Sequence, residues 1–311
     1  MNLAPIEIGS NSLYNDNIIH MNNIKIICLA ICISLIWGSS FPISKMAIEK
    51  IGVWPFRFYA ALTSVVVLIL LALIAFKRKF HFYGLIMCIP LGFLNVFLVT
   101  LLNNIALGYT DSAKASVLIY TMPAMTTVIM MIAHKRITLN SIVVSLSCLT
   151  GVFIFTSLDH FGLGEMIILL SASMWALGTF LAEKIPTQLD LLSKVMYQNI
   201  VSFFLILLIT PFISSNLDIF DYQQDPLHYI KDVYFPILFI GIAGGVIVFV
   251  LWFYMIEQGG AELSSYAVLV APIISVGLSH YFLDEVISFT MLIGMVLILL
   301  SMLISFIGKT R

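Results

Sequence analysis

The chain has 311 residues, of which 61% are hydrophobic and 10% charged, with 15 basic and 16 acidic side chains and a net charge of −1. A water-soluble domain carries about 25% charged residues, so the composition excludes a soluble globular protein and predicts an integral membrane protein surrounded by lipid. The near-zero net charge leaves no basic surface for nucleic acid, which excludes that class of partner.

Residues 1–23 are predicted to form an N-terminal cytoplasmic tail. The first 20 residues are polar and lack the basic start and the cleavage site of a signal peptide. Met21 is an alternative start of translation, which would remove most of this tail.

Ten apolar runs follow the tail, each about as long as a helix that crosses a hydrocarbon core of about 30 Å. Their apolar residues are continuous rather than alternating, which is typical of membrane helices and not of membrane β-strands. We therefore predict an all-α membrane protein with ten transmembrane helices. The predicted spans are 24–44, 53–76, 80–107, 112–133, 137–157, 163–183, 192–214, 233–257, 262–283 and 286–307.

Two copies of one sequence pattern lie 149 residues apart. The segment YTDSAKASVLIYTMPAMTTVI aligns with QGGAELSSYAVLVAPIISVGL, which places Pro123 on Pro272. Trp37 aligns with Trp175 at an offset of 138. The chain is therefore predicted to contain an internal repeat.

Each repeat would hold five helices, in residues 24–157 and 163–307. Because five is an odd number, the two copies enter the membrane from opposite sides and form an inverted repeat. Many secondary transporters are built in this way, with the substrate site between the halves.

The distribution of lysine and arginine predicts the orientation of the chain, since these residues are enriched on the cytoplasmic side. With the N-terminus inside, 10 of the 15 basic residues fall on the inner side, whereas Arg57 counts among the outer ones. Both termini are then cytoplasmic, the loop 215–232 is outside, and the protein lies in the plasma (inner) membrane. The ten inner residues are Lys25, Lys77, Arg78, Lys79, Lys135, Arg136, Lys184, Lys194, Lys309 and Arg311.

Polar and aromatic side chains share single faces of several predicted helices. A polar side chain in hydrocarbon needs a partner or a cavity, so we predict that these faces line a central vestibule that binds substrate. The candidate substrate-binding residues are Trp37, Ser40, Phe41, Asn103, Asn104, Tyr120, Trp175, Thr179, Trp252 and Tyr266. Pro123 and Pro272 are predicted to kink their helices.

These candidates also have structural interpretations. Tryptophan is common at the membrane interface, and small residues such as serine let helices pack closely. Asn103 and Asn104 would also be satisfied by hydrogen bonds between helices. Trp252 is included because it is the repeat equivalent of Asn103.

Several motifs carry a resemblance to a known family. They are WGSSF at 37–41, Arg57 followed by FYAAL, ALGYTDSAKAS before Pro123, and the second copy that runs to Pro272 and ends with FLDE at Glu285. Because these motifs occur in this order, the chain resembles the ten-helix, EamA-type members of the drug/metabolite transporter superfamily. The resemblance implies a multispan carrier of small polar metabolites, a class that includes many amino acid exporters.

Two positions depart from the family pattern. The first repeat has HKR at 134–136, where a glutamate matching Glu285 is common, and Asp284 stands where glycine is usual. Both positions lie at helix ends, so they affect gating or topology more than the fold.

The residues and the resemblance together predict a secondary transporter that exports a small polar metabolite, foremost an amino acid or a related compound, by alternating access. A multidrug carrier, or a carrier for uptake or exchange of another solute, is the alternative. The alternative from another class is an intramembrane enzyme. It lacks a G-x-S-x-G or H-E-x-x-H motif to accompany His280, so we expect no enzymatic activity.

No cofactor or metal is expected, because the four cysteines lie in apolar runs without a CxxC pair. No Asp or Glu falls in the middle of a predicted span, which does not favour carboxylate-based proton coupling. The expected partners are a small-molecule substrate and lipid, and a homodimer is left open.

Overall fold

The structure, a computed structural model, describes residues 10–135, 137–156, 161–185, 189–213, 217, 229–266, 268 and 270–307. Every regular element within these ranges is helical. We number the helices in chain order: α1 (Ser10–Ile51), α2 (Val53–Ala75), α3 (82–107, interrupted at Cys88), α4 (Ser112–His134), α5 (Leu139–Thr156), α6 (Leu163–Lys184), α7 (Leu191–Ile213), α8 (230–266), α9 (Ala271–Leu283) and α10 (Phe289–Ile307).

Seven of the described helices contain a stretch that is long and apolar enough to cross a membrane, namely those from α1 to α4 and from α6 to α8. Shorter apolar stretches occur in α5, α9 and α10, at the positions of the predicted fifth, ninth and tenth spans. The all-α membrane fold is therefore confirmed, whereas the number of ten crossings stays a prediction.

The first helix is longer than the sequence analysis predicts. It begins at Ser10, within the predicted tail, and runs without interruption to Ile51. Residues 10–23 contain no glycine or proline that would stop a helix, which accounts for the extension.

The predicted break between the eighth and ninth spans, at 258–261, is wrong. The helix continues through Gly259 and Gly260 to Tyr266, and α9 begins only at Ala271. Each glycine destabilises a helix by only about 1 kcal/mol relative to alanine, so the helix can continue through Gly259 and Gly260.

Each predicted proline kink coincides with an interruption in its helix. Tyr120 and Thr121 form a tight turn inside α4, and Pro123 is the second residue of the helical segment that follows. Pro272 takes the same place at the start of α9. Proline fits there because the first turn of a helix does not use its backbone N–H groups.

The contacts between helices repeat when the two halves are exchanged. Helix α3 packs against α6 and α7, and its counterpart α8 packs against α1 and α2. The second segment of α4 packs against α6, as α9 packs against α1, while α5 and α10 pack against each other. This exchange of partners relates the two halves as copies of one five-helix unit, and their inversion across the membrane stays a prediction.

Glycines allow α5 and α10 to approach closely. A Cβ atom on Gly294 would lie within 2.5 Å of the Cα and Cβ atoms of Phe155, and one on Gly151 would lie 2.8 Å from a side-chain carbon of Ile298. Small residues at such contacts let membrane helices pack backbone against backbone. The contact therefore has no room for a larger side chain at either glycine.

We expect Gly294→Ala to destabilise the fold by about 1–3 kcal/mol, the usual cost of overpacking. Gly277→Ala in α9 is the matched control, because a Cβ atom there meets nothing within 4 Å. The measurement is the melting temperature of each purified variant in detergent. Equal melting temperatures for the two variants would contradict the close approach of α5 and α10.

Candidate functional site

A partly open cavity of about 100 Å³ lies where the two repeats meet. Its wall combines α1, α2, α3 and α4 of the first repeat with α6, α7 and α8 of the second. A buried water needs about 10–15 Å³ of such space, so the cavity can hold several waters or a small solute. Both repeats thus contribute to one cavity, whose wall is mostly apolar and carries several polar side chains.

Seven of the ten candidate residues lie in the wall of this cavity. The exceptions are Thr179, which is fully buried away from it, Trp252, which packs behind the wall, and Tyr266, whose side chain lies outside the described residues. The seven in the wall are Trp37, Ser40, Phe41, Asn103, Asn104, Tyr120 and Trp175.

Three tryptophans form a cluster at the junction of the repeats. The ring centroids of Trp37 and Trp175 are 4.9 Å apart at an interplanar angle of 83°. Trp252 lies 5.1 Å from Trp37 and 5.7 Å from Trp175. Edge-to-face contacts of this kind stabilise aromatic pairs beyond the burial of their surface. The cluster gives the cavity a rigid apolar wall built from α1, α6 and α8.

Helix α3 supplies the polar side of the cavity. Asn103 accepts a hydrogen bond of 2.6 Å from Ser171 of α6 through its Oδ1 atom, so it lines the cavity and also bridges two helices. Asn104 Nδ2 and both polar side-chain atoms of Asn95 are buried and have no partner within the described part of the chain. Buried amides normally form hydrogen bonds, so these groups are available to water or to a solute.

The serine and threonine candidates of α1 and α6 differ in their surroundings. Ser40 lines the cavity, and its hydroxyl donates a hydrogen bond of 2.7 Å to the Ile36 carbonyl. One turn beyond Trp175, α6 comes so close to α3 that a Cβ atom on Gly178 would collide with Asn95 Oδ1. The helices are in contact at this level, which explains why Thr179 does not reach the cavity.

Wide helical turns shape two sides of the cavity, and the sequence analysis missed them. Gly92–Leu98 of α3 and Ile240–Ile247 of α8 are π-helical, and they place Asn95, Gly244 and Gly245 in the wall. The two segments correspond at the repeat offset of 149. Single π-helical turns inside α-helices often mark functional sites.

Arg57 is the other residue that the sequence analysis placed differently. It was counted with the outer charges, but its side chain is buried within α2, only 5% exposed, and lines the cavity. Its Nη2 atom is 3.5 Å from the Val96 carbonyl oxygen, and its Nε atom has no partner among the described residues. The sequence does indicate a buried, functional position for Arg57, because an ionisable residue inside an apolar run is energetically costly and usually has a functional role.

Polar contacts join the repeats at the predicted outer end. The Glu285 carboxylate accepts hydrogen bonds from the backbone N–H groups of Ser112 (2.7 Å) and Ala113 (2.8 Å) at the start of α4. His280 Nδ1 lies 2.9 Å from the Glu285 carbonyl oxygen, a structural contact. Asp284 has a left-handed φ of 53°, as does its repeat equivalent Lys135 at 52°. The departure at Asp284 is therefore accommodated at a helix C-terminus.

An ion pair joins α7 and α8 at the predicted inner end of the cavity-lining helices. Lys194 of α7 is 2.7 Å from the carboxylate of Glu257 in α8. Glu257 is thereby directed to a neighbouring helix rather than into the cavity. The described residues include no cluster of three metal-ligating side chains.

The EamA-like transporter family matches the chain twice, over residues 24–157 and 162–307. The Uncharacterized transporter YoaV of Bacillus subtilis (strain 168) is 24% identical over 289 residues, which is 88% of this chain and 94% of the relative. The Uncharacterized transporter YvbV of the same organism is 28% identical over 279 residues, or 86% and 87% of the two chains.

A solved structure described as "Crystal structure of protein" has a TM-score of 0.65 at 14% identity and covers 92% of this chain and 98% of its own. That likeness shows the fold. The two family matches coincide with the two five-helix repeats whose junction encloses the cavity. The chain belongs to the EamA-like transporter family.

Proposed function

We propose that this protein is a secondary transporter that carries a small polar metabolite through the central cavity by alternating access. The observation that carries the proposal is the cavity itself, which lies between the two repeats of a membrane protein and has an apolar wall with Arg57 and several asparagines and serines in it. A site between inverted repeats can be opened to either side when one half rocks against the other.

The proposed substrate is an amino acid or a related metabolite, and the proposed direction is export. The resemblance to metabolite exporters supports this choice, and so does the size of the cavity. The combination of an aromatic wall with amide groups suits a solute that has both an apolar body and polar ends. A carrier for drugs, or for uptake or exchange of another solute, would use the same site. No catalytic step is proposed.

The transport proposal can be tested before the substrate is identified. Small metabolites would be quantified by mass spectrometry inside and outside cells that express the chain or lack it. An exporter lowers the internal pool of its substrate and raises the external one. The enriched compounds would then be loaded into liposomes that contain the purified protein, and their release would be measured. Absence of any change in the cells and in the liposomes would contradict the proposal.

We expect a cysteine at position 40 to be accessible to water through the cavity. In a background without the four native cysteines, Ser40→Cys should react with a small charged thiol reagent, and the attached group should block transport. Ser40 is partly buried in the cavity wall, so a reagent that occupies the cavity reaches it. The measurements are the labelling rate and the transport rate before and after labelling.

Two further cysteine variants are matched controls for Ser40→Cys. Leu70→Cys should be inert, because Leu70 is 49% exposed on an apolar helix surface that faces lipid. Thr179→Cys should also be inert, because Thr179 is fully buried and does not line the cavity. If all three variants label equally slowly, the cavity is not connected to water and cannot serve as the transport path.

A further inference from the structure

The guanidinium of Arg57 lies in the cavity wall without a compensating negative charge. No carboxylate of the described residues is within 4 Å of it, and no Asp or Glu of the described chain lines the cavity. The long contact of 3.5 Å to the Val96 carbonyl leaves most of its donors for other partners. Among the residues that line the cavity, Arg57 is therefore an uncompensated cation.

Burial of an unpaired charge is unfavourable, and in membrane proteins such residues face water-filled cavities or pair with another group. A structural role would pair Arg57 with an acidic side chain or with several carbonyl oxygens. The structure instead leaves its Nε atom without a partner in the described ranges. This arrangement suits a guanidinium that pairs with a negatively charged group of a bound solute.

The groups around Arg57 have the chemistry of a carboxylate site. A guanidinium presents parallel N–H donors that match the two oxygens of a carboxylate. Asn104 Nδ2 and Asn95 Nδ2 are further buried donors in the same cavity, and both are unpaired within the described chain. The aromatic side chains of Trp37, Trp175 and Phe249 also line the cavity, and they offer an apolar surface to the rest of the solute.

We infer that the cavity binds the carboxylate of a small organic acid or zwitterion at Arg57, with the apolar part of the solute against the tryptophan cluster. The inference rests on the proposed function, because it takes the cavity as the substrate site. It favours carboxylate-bearing metabolites over organic cations, since a cation would meet the charge of Arg57 and no acidic side chain in the described wall.

Matched pairs of acid and amide test the inference directly. The probes are 3-methylbutanoate with 3-methylbutanamide, phenylacetate with phenylacetamide, and leucine with leucinamide. Binding to the purified protein would be measured at neutral pH by the change in tryptophan fluorescence and by the shift in melting temperature. We expect at least one acid to bind about tenfold or more tightly than its amide, because a charge-assisted bidentate contact is lost in the amide.

Variants at Arg57 connect this preference to the side chain. Arg57→Gln should abolish the preference for the acid, whereas Arg57→Lys should retain part of it, since lysine keeps the charge but not the bidentate fork. Arg78→Gln is the matched control, because Arg78 is half-exposed and pairs with Asp190 outside the cavity. It should leave the preference unchanged.

The inference is overturned if the wild-type protein binds no acid of the panel, if it binds acids and amides equally, or if Arg57→Gln keeps the preference. Should Arg57→Gln fail to fold, protection of Ser40→Cys from the thiol reagent decides the location. The acid should protect, the amide should not, and equal protection would overturn the inference.

The two proposals fail in different ways. Acid-selective binding in a protein that changes no metabolite pool in cells and releases no solute from liposomes would contradict the transport proposal and leave the carboxylate site standing. Transport of a neutral or cationic solute, together with equal binding of acid and amide, would contradict the carboxylate site alone.

Discussion

Replacing Trp37 with alanine is expected to lower the initial transport rate per protein molecule by about tenfold or more, because the change would remove a large part of the proposed binding surface and an N–H donor. Trp37 lines the cavity and contacts Trp175, Trp252 and Phe249. It is thus the centre of the aromatic cluster as well as part of the proposed binding surface. Trp175→Ala should have a similar effect from the opposite repeat.

Truncation of a buried tryptophan also destabilises a protein, typically by about 3–5 kcal/mol. The transport rate must therefore be divided by the amount of folded protein in the membrane. Trp37→Phe and Trp175→Phe should be milder, since phenylalanine retains much of the apolar wall but not the N–H donor.

Trp54→Ala separates a loss of stability from a loss of substrate contact. Trp54 is as buried as Trp175 and more buried than Trp37, and its Nε1 atom donates a hydrogen bond of 3.2 Å to Thr210 Oγ1, but it does not line the cavity. We expect Trp54→Ala to reduce the amount of protein while the rate per molecule stays normal. Normal rates per molecule in Trp37→Ala and Trp175→Ala as well would remove both tryptophans from the site.

The ends of several helices were predictable because charged or turn-forming residues stand directly beside the apolar runs. The predicted spans 53–76 and 163–183 agree closely with α2 and α6, whose last apolar turns are followed by Lys77 and Lys184. The extension of α8 through Gly259 and Gly260 was not predictable in this way, because a glycine lowers helix stability by only about 1 kcal/mol and does not by itself end a helix.

The wide helical turns of α3 and α8 leave no recognisable pattern of residue types. Gly92–Leu98 and Ile240–Ile247 have apolar compositions like the α-helical turns beside them. A π-helical turn depends on how the helix fits its neighbours, and this fit is a property of the assembled repeats. Asn95 could therefore be recognised as a polar residue in a span, but its position in the cavity could not be derived from helical periodicity.

The repeat alignment was the most informative feature for the site. The equivalence of Trp37 and Trp175 led to both residues as candidates, and the structure brings their rings into contact. The equivalence of Asn103 and Trp252 also pointed to the right region, although Trp252 lies behind the wall. Thr179 shares a helical face with Trp175, but it lies one turn further along α6, where that helix contacts α3 and not the cavity.

Arg57 was missed because the count of basic residues on each side treats every charge near a helix end as part of a loop. The position of a charge along the chain does not tell whether its side chain reaches water or the protein interior. The cavity between the repeats makes the interior position of Arg57 tolerable, and that cavity exists only in the assembled fold.

The orientation of the chain gives the other large expected effect, which is all-or-none. A reporter that is active only in the cytoplasm should be active when fused after Lys79, Arg136 or Arg311 and silent when fused after Phe161 or within 215–232. The reason is the positive-inside distribution, which places ten of the 15 basic residues on one side of the predicted bundle. The measurement is reporter activity divided by the amount of each fusion protein.

The fusions after Lys79 and Phe161 are the most informative pair, because an odd number of predicted spans separates them. These are the third, fourth and fifth spans, and the last of them, α5, has only a shorter apolar stretch in the described residues. If α5 failed to cross the membrane, both fusions would be active, and the second repeat would enter from the same side as the first. An inverted repeat would then be impossible. Opposite activities at these two sites would instead show that the two repeats enter the membrane from opposite sides. This is the arrangement on which the proposed alternating access through the shared cavity is based.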